Sequence, residues 1–268
     1  MLIKRQIKGV LIDLDGTIYR GNHLIQGAIE FLNWLRSQHI EYLLLTNNST
    51  TTPEEIVNNL YKLGIEETPS RIMTSALATA QYLLDLGEEG AKVYVIGEDG
   101  LVQALINNGY YITESNPDYV VVGLDRQVTM KKFKIAYYAI THGAKFILTN
   151  PDKVLPVEGG SFIPGAGSIS ALLEYAAEIS PTIIGKPFPL IYQISARKLG
   201  YKERELIIIG DGLETDIKGG ESLGLLTGLV MTGVTSFEEV EGSFIKPDYV
   251  VNDLIEFIDV LSLLINKS

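Results

Sequence analysis

The stretch GVLIDLDGTIY, residues 9–19, decides the fold, because a short apolar run ends there in two acids. Continuous apolar runs of this kind are typical of strands buried on both faces of a parallel sheet. Asp13 and Asp15 are two residues apart, and side chains at that spacing on an extended backbone point the same way. Gly16 follows, and Asp-Gly marks a turn in which the backbone approaches a ligand closely. The stretch is compatible with two carboxylates around a cation or with an ordinary acidic turn after a strand.

Similar apolar runs recur along the chain and alternate with amphipathic stretches. The predicted strands are GVLIDL (9–14), EYLLLT (41–46), KVYVIG (92–97), DYVVVG (118–123), KFILT (145–149), TIIG (182–185) and ELIIIG (205–210). The amphipathic stretches are 27–38, 53–63, 129–141, 188–199 and 252–266. The alternation predicts an α/β architecture built on a doubly wound parallel sheet. IYRGNHLI, residues 18–25, also predicts a small hairpin that turns at Gly21–Asn22.

The middle of the chain, residues 81–179, has strand–helix units of its own but no comparable pair of acids. We therefore predict an inserted α/β domain there, which leaves 1–80 and 180–268 as one core. PGAGS, residues 164–168, belongs either to the surface of the insertion or to the start of the helix that follows.

Further polar residues stand at the ends of predicted strands, where open α/β sheets bind their ligands. Asp211 ends the strand ELIIIG and is predicted to complete a metal site with the acids of the first strand. Asp216 comes five residues later, and two roles are open to it. It either orients the metal ligands without binding the metal, or complements the dipole of a helix N-terminus.

Lys186 and the segment 46–48 are candidates for binding a phosphate group. Lys186 follows the strand TIIG and precedes Pro187, so it is predicted to stay in a loop where its ammonium suits an anion. Thr46, Asn47 and Asn48 end the strand EYLLLT and carry hydroxyl and amide groups that donate to phosphate oxygens. The alternatives are a solvated surface lysine and a set of capping residues for the next helix.

Composition narrows the class of ligand. The chain of 268 residues has 22 basic and 33 acidic residues, and a net charge of −11 argues against binding nucleic acid. No cysteine and only three histidines are present, so a bound metal needs oxygen ligands, which favours Mg2+. Neither a signal peptide nor an apolar run long enough to span a membrane is found, which predicts a soluble cytoplasmic protein.

Four motifs, in order, resemble those of the haloacid dehalogenase (HAD) superfamily: DLDGTI (13–18), LLTNNS (44–49), GKP (185–187) and GDGLETD (210–216). TNNST (46–50), TNPD (149–152) and PGAGS resemble its NagD-type, p-nitrophenyl-phosphatase-like branch. This resemblance implies a Rossmann-like core that holds magnesium, with an α/β cap inserted between the second and third motifs.

The resemblance also implies roles for individual residues. Asp13 would be the nucleophile and Asp15 the general acid and base. Magnesium would be bound by Asp13, the backbone carbonyl of Asp15, and Asp211. The phosphoryl group would be held by Thr46, Asn47 and Lys186, with Asn48 as a further candidate.

The expected activity is hydrolysis of a small-molecule phosphate ester, such as p-nitrophenyl phosphate, a nucleotide, a sugar phosphate or pyridoxal phosphate. A phosphomutase of the same superfamily and a phospho-ligand sensor without turnover remain alternatives. Asp15 and Asp211 argue against a dehalogenase, and the length of the chain argues against a receiver domain. A homo-oligomer is left open.

Overall fold

The predicted apolar runs fold as parallel strands, most of them buried, in a computed structural model that describes residues 6–87, 89–157 and 160–265. The strands are β1 Gly9–Asp13, β2 Tyr19–Arg20, β3 His23–Leu24, β4 Glu41–Thr46, β5 Ile72–Thr74, β6 Lys92–Ile96, β7 Tyr111–Ile112, β8 Tyr119–Val122, β9 Lys145–Leu148, β10 Val154–Val157, β11 Ser161–Pro164, β12 Thr182–Ile183, β13 Leu206–Gly210, β14 Leu226–Val230 and β15 Tyr249–Val251. The helices are α1 Ala28–Ser37, α2 Pro53–Lys62, α3 Ser75–Asp85, α4 Asp99–Asn107, α5 Met130–Thr141, α6 Ala166–Ala177, α7 Pro189–Leu199, α8 Lys218–Ser222, α9 Phe237–Gly242 and α10 Leu254–Ile265. Short 3-10 turns cover Pro69–Arg71 and Glu203–Glu205, and Leu213–Ile217 forms a π-helical turn.

One compact unit contains the segments Met1–Thr46, Ile56–Met73 and Tyr192–Ser268. Its sheet has the order β15-β14-β13-β1-β4-β5, and β1 pairs in parallel with both β13 and β4. Every residue of β1 is buried, because helices cover the sheet; Val10 and Ile12 share a core with Phe31 of α1 and Phe257 of α10. Asp13 is in register with Leu45, so β1 and β4 end at the same edge.

The second unit contains the segments Asn47–Glu55 and Thr74–Ile191. Its sheet has the order β12-β9-β8-β6-β7, and all four pairs of neighbouring strands are parallel. Val120 and Val122 of β8 pack into a core with Ile140 of α5 and Leu173 of α6. This unit therefore has a parallel α/β sheet and a hydrophobic core of its own.

The predicted fold class, an α/β protein with Rossmann-like parallel sheets, is confirmed. The hairpin at Gly21–Asn22 is present as the antiparallel pair β2–β3. Gly165 is the N-cap of α6, so PGAGS does begin a helix. The division into a core and a cap at 81–179 stays a prediction. Residues 1–5, 88, 158–159 and 266–268 of the predicted elements and domains lie outside the described residues.

Candidate active site

Asp13 is the last residue of β1 and is buried. The chain then turns tightly, since the N–H groups of Thr17, Ile18 and Tyr19 all donate to the carbonyl of Leu14. Thr17 Oγ1 lies 3.5 Å from Asp13 Oδ2, at the long limit of a hydrogen bond. The strand end thus holds the Asp13 carboxylate in a buried position beside a hydroxyl group.

Asp15 lies in this turn, and its surroundings differ from those of Asp13. Its residue is exposed, and its backbone forms an isolated bridge with Tyr19. Burial raises the pKa of the Tyr19 phenol, and the negative charges of Asp15 and then Asp13 raise this pKa further. Both carboxylates are therefore close enough to Tyr19 to act on the pKa of its phenol.

Asp211 directly follows β13 and is buried against the turn after β1. Its Oδ2 accepts a 2.7 Å hydrogen bond from the backbone N–H of Val234, and its carbonyl accepts one of 2.6 Å from Thr235 Oγ1. A Cβ on Gly16, which has a left-handed φ of 90°, would lie only 2.2 Å from Asp211 Oδ2. Glycine at this position therefore allows the backbone to approach the Asp211 carboxylate.

Asp216 is buried within the π-helical turn Leu213–Ile217. Its Oδ2 accepts hydrogen bonds from the backbone N–H of Gly212 at 3.2 Å and from Thr215 Oγ1 at 3.1 Å. These bonds direct the side chain back toward the end of β13, where Asp211 lies. Asp216 is thus held by its own turn in the interior of the unit.

Asp13, Asp211 and Asp216 form a group that is suited to a metal ion. Each offers one carboxylate oxygen, and these oxygens all lie within 4.8 Å of one another. Three buried carboxylates this close repel one another strongly unless a cation lies between them, and oxygen ligands suit a hard divalent cation. Among the described residues, no other group of three or more acids or histidines brings its ligand atoms this close together. The Asp15 side chain does not belong to it.

Lys186 and Asn47 are brought together in the second unit. Lys186 is buried, and its backbone N–H donates to Asn47 Oδ1 at 2.8 Å. Asn47 Nδ2 donates to the carbonyl of Lys186 at 3.1 Å, and it also lies 3.3 and 3.4 Å from the carboxylate oxygens of Asp152. The side chain of Asn47 is therefore hydrogen bonded to the backbone of the predicted phosphate-binding lysine.

Thr46 and Asn48 flank Asn47 in sequence. Thr46 ends β4 and is buried, one residue past the partner of Asp13. Asn48 Oδ1 accepts hydrogen bonds from the backbone N–H of Thr50 at 2.7 Å and from that of Thr51 at 3.3 Å. The Asn48 side chain thus shapes the loop before α2, which is the kind of local role asparagine often has in turns.

Comparisons with known proteins identify the family. A model of haloacid dehalogenase-like hydrolases matches residues 10–111, and a HAD-hydrolase-like model matches residues 183–257. An acid sugar phosphatase from Staphylococcus epidermidis is 42% identical over 251 residues, which are 93% of this chain and 96% of that protein. The 5'-nucleotidase YutF from Bacillus subtilis is 41% identical over 251 residues, covering 94% and 97%. This chain belongs to the haloacid dehalogenase-like hydrolases.

Solved structures of this superfamily agree with the fold. A mutant of the thermostable p-nitrophenylphosphatase from Bacillus stearothermophilus has a TM-score of 0.85 and 44% identity, covering 94% of this chain and 98% of that one. NagD from Escherichia coli K-12 has a TM-score of 0.87 and 35% identity, with the same two coverages. The predicted membership in the NagD-type branch of the HAD superfamily and the predicted class, a phosphatase, are confirmed.

Sequence reasoning about this HAD phosphatase missed the loop that follows β14. Thr232 Oγ1 donates to the carbonyl of Gly16 at 2.8 Å, and Arg20 Nη2 donates to the carbonyl of Thr232 at 2.6 Å. The loop thereby joins the turn after β1 to the backbone that supports Asp211. A signal was available, because MTGVTS (231–236) places polar residues directly after the apolar run LTGLV (226–230).

Proposed function

We propose that this chain is a Mg2+-dependent phosphatase that hydrolyses small phosphate monoesters through an aspartyl-phosphate. The observation that carries the proposal is the buried group Asp13, Asp211 and Asp216, in a chain related to phosphatases. Its carboxylates suit Mg2+, which takes one or two protein carboxylates and leaves other positions to water or substrate oxygens. When bound, Mg2+ would offset the negative charge of the phosphoryl oxygens.

In the first step, an oxygen of Asp13 attacks phosphorus in line, and the bond from phosphorus to the ester oxygen breaks. Asp15 gives its proton to the departing alkoxide, which leaves as an alcohol. In the second step, Asp15 takes a proton from a water molecule that attacks the same phosphorus. The bond between phosphorus and Asp13 breaks, and phosphate leaves. The exposed position of Asp15 supports a role in exchanging protons with substrate and water.

The phosphoryl oxygens would be held by Thr46, Asn47 and Lys186, with Asn48 as a further candidate. Positioning and electrostatic stabilisation provide most of the catalysis in phosphoryl transfer, so a lysine ammonium at the phosphoryl group has a direct effect on the rate. Burial of Thr46 and Lys186 supports this role, because hydrogen bonds and charges act more strongly away from water.

The roles of the metal ligands need one refinement. We propose that Asp13 and Asp211 bind Mg2+ with the backbone carbonyl of Asp15. Asp216 would either take part in binding or orient the other ligands, since its oxygen lies as near to the group as theirs do. Hydrogen bonds from Gly212 and Thr215 to one of its oxygens support an orienting role.

The substrate would be a small phosphate ester selected by the predicted cap, 81–179. Relatives named acid sugar phosphatase and 5'-nucleotidase support sugar phosphates and nucleotides as the first candidates. No helix of the described residues has the length and apolar character needed to cross a bilayer. The cytoplasmic location and the lack of nucleic-acid binding stay predictions, and a homo-oligomer stays an open possibility.

The test is a phosphate-release panel of p-nitrophenyl phosphate, nucleoside monophosphates, sugar phosphates and pyridoxal phosphate, with Mg2+ or with a chelator. We expect turnover that the chelator stops and that Asp13→Asn lowers by about a thousandfold or more, as for other nucleophiles. Asp259→Asn, on the exposed side of α10, is the matched control and should leave the rate unchanged. Full activity of Asp13→Asn would refute the nucleophile assignment.

Product analysis separates the remaining alternatives. A phosphatase releases phosphate in many turnovers, whereas a phosphomutase returns the phosphoryl group to the sugar. A sensor without turnover would release phosphate at most once for each protein molecule.

A further inference from the structure

The side-chain amide of Asn47 contacts the backbone of Lys186 at both of its ends. Asn47 Oδ1 accepts the N–H of Lys186 at 2.8 Å, and Nδ2 donates to the Lys186 carbonyl at 3.1 Å. In a β-sheet, a neighbouring strand likewise accepts a hydrogen bond from the N–H of a residue and donates one to its carbonyl. The amide therefore continues the pairing that β12 has with β9, where Ile184 and Gly185 still donate to the carbonyls of Leu148 and Thr149.

Asp152 determines which way this amide faces. Its two carboxylate oxygens lie 3.3 and 3.4 Å from Asn47 Nδ2, and its Oδ2 also accepts from Asn150 Nδ2 at 2.7 Å. A carboxylate only accepts hydrogen bonds, so it holds the NH2 end of Asn47 toward itself and leaves Oδ1 for the Lys186 N–H. Asn150 is in turn fixed by Thr149, whose Oγ1 donates to it at 2.7 Å. These residues belong to TNPD, to which the proposed function gives no role.

We infer that Asn47 and Asp152 are positioning residues for Lys186, and that the Asn47 side chain acts on the phosphoryl group through this lysine. The inference rests on the proposed function, in which the Lys186 ammonium binds the phosphoryl group. Lys186 is buried and precedes Pro187. Because Pro187 has no N–H to donate, this loop depends on the hydrogen bonds made by the backbone of Lys186. The Asn47 amide supplies two of them. A lysine held in one place stabilises the transition state without reorganising during the reaction.

The central variant is Asn47→Asp, which keeps the acceptor for the Lys186 N–H but removes the donor. Its new carboxylate also faces that of Asp152 at about the distance of the present contact, so the two repel. We expect kcat with p-nitrophenyl phosphate to fall by about tenfold to a hundredfold, as for a displaced catalytic group. The dissociation constant of inorganic phosphate should rise by about tenfold. The variant should still unfold in one cooperative thermal transition.

The double variant Asn47→Asp/Asp152→Asn exchanges the two groups and restores a donor–acceptor pair between them. We expect it to recover part of the kcat that Asn47→Asp loses, because the repulsion between the two carboxylates is removed while the bond to the Lys186 carbonyl stays absent. Asp118→Asn is the matched control. Asp118 Oδ2 accepts a 2.8 Å bond from the Lys92 N–H, but it lies before β8, at the opposite end of the sheet. This control should change neither kcat nor phosphate affinity.

A purely structural role is excluded by repeating Asn47→Asp in the background Lys186→Ala. Alanine keeps the backbone N–H and carbonyl but has no ammonium to position. If Asn47 acts through the ammonium, Asn47→Asp should then change phosphate affinity by less than about twofold, because the effects of coupled residues do not add. An equal loss in both backgrounds would overturn the inference, as would unchanged kcat and phosphate affinity in Asn47→Asp.

The readouts also separate this inference from the proposed function. If the wild-type protein binds inorganic phosphate but releases none from esters, the proposed catalysis fails, and the phosphate-affinity cycle still tests the positioning role. If Asn47→Asp does not fold, Asp152→Asn takes its place in the same cycle. Asp152→Asn keeps one acceptor oxygen for Asn47. We expect it to weaken phosphate affinity by about threefold to tenfold, and we expect this loss to disappear in the Lys186→Ala background.

Discussion

Gly233→Ala is predicted to disable the site although it replaces none of the residues that carry chemistry. A Cβ on Gly233 would lie 1.6 Å from Asp211 Oδ2 and 2.1 Å from the Cβ and Cγ of Asp211. Ordinary contact begins at 3.4 Å, so Oδ2 would have to move by about the difference between 3.4 and 1.6 Å, which is 1.8 Å. The whole Asp211 side chain is involved, because its Cβ and Cγ are also too close. Gly233 has no left-handed φ, so backbone strain does not enter.

The size of the effect follows from this displacement. Oxygen ligands hold a metal within about 0.2 Å of their ideal distance, and a misplacement of about 1 Å can lower a rate a hundredfold. The displaced carboxylate would also lose its 2.7 Å hydrogen bond from Val234. We therefore expect kcat/KM to fall by about a hundredfold or more, which corresponds to about 2.7 kcal/mol of transition-state stabilisation.

The assay is phosphate release from p-nitrophenyl phosphate over a range of Mg2+ concentrations. Gly233→Ala should raise the Mg2+ concentration for half-maximal activity as well as lower the maximal rate. Gly242→Ala is the matched control, because a Cβ there meets no atom of the described residues within 4 Å. It should leave both values unchanged. A folded Gly233→Ala protein with wild-type kcat/KM and Mg2+ dependence would refute the role given to Asp211.

Two further predictions concern stability. Phe257 is fully buried and packs edge-to-face on Phe31, with ring centroids 6.4 Å apart. Phe257→Ala should therefore lower the free energy of unfolding, measured by urea titration, by about 3–5 kcal/mol. A loss below about 1 kcal/mol would contradict the packing described. Hydrogen bonds from the backbone and the side chain of Ser236 lower the pKa of the exposed Glu239 in the folded protein. The charged carboxylate therefore stabilises the fold at pH values above the pKa of the unfolded chain, and this stabilisation is lost as the pH falls through the lowered pKa of the folded protein. The difference in melting temperature between wild type and Glu239→Gln should therefore be present at pH 7 and shrink as the pH falls through the range in which glutamate titrates, and a difference independent of pH would argue against the effect.

The central strands were predictable because both faces of each parallel sheet are buried there. The strand 9–13 is apolar up to Asp13, and the strand 206–210 has no polar side chain, so their pattern differs from that of the amphipathic helices beside them. Other elements gave weaker signals. β14 has Gly228 in its interior, which lowers strand propensity, and β15 is only three residues long. α3 is buried on most of its surface, so its sequence SALATAQYLLD lacks a polar face.

The acids of the site were predictable from their position at strand ends, but their surroundings were not. Asp216 reaches the metal-binding group because residues 213–217 form a π-helical turn, which is rare and has no clear sequence signature. Asn47 carries an amide that suits a phosphate oxygen and a backbone group equally well. Only the contacts with Lys186 and Asp152 indicate which of these the side chain binds.

Asp211 shows why a motif of acids describes only part of such a site. Its carboxylate lies between two backbone segments, the turn at Gly16 and the loop at Gly233, and a methyl group on either would come within 2.2 Å of Oδ2. The position of the acid therefore depends on two residues that have no side chain and come from distant parts of the sequence. A chain with all three acids but with alanine at position 233 would keep the motifs and, by this reasoning, lose the metal geometry. The glycines are as necessary to the proposed chemistry as the carboxylates that they adjoin.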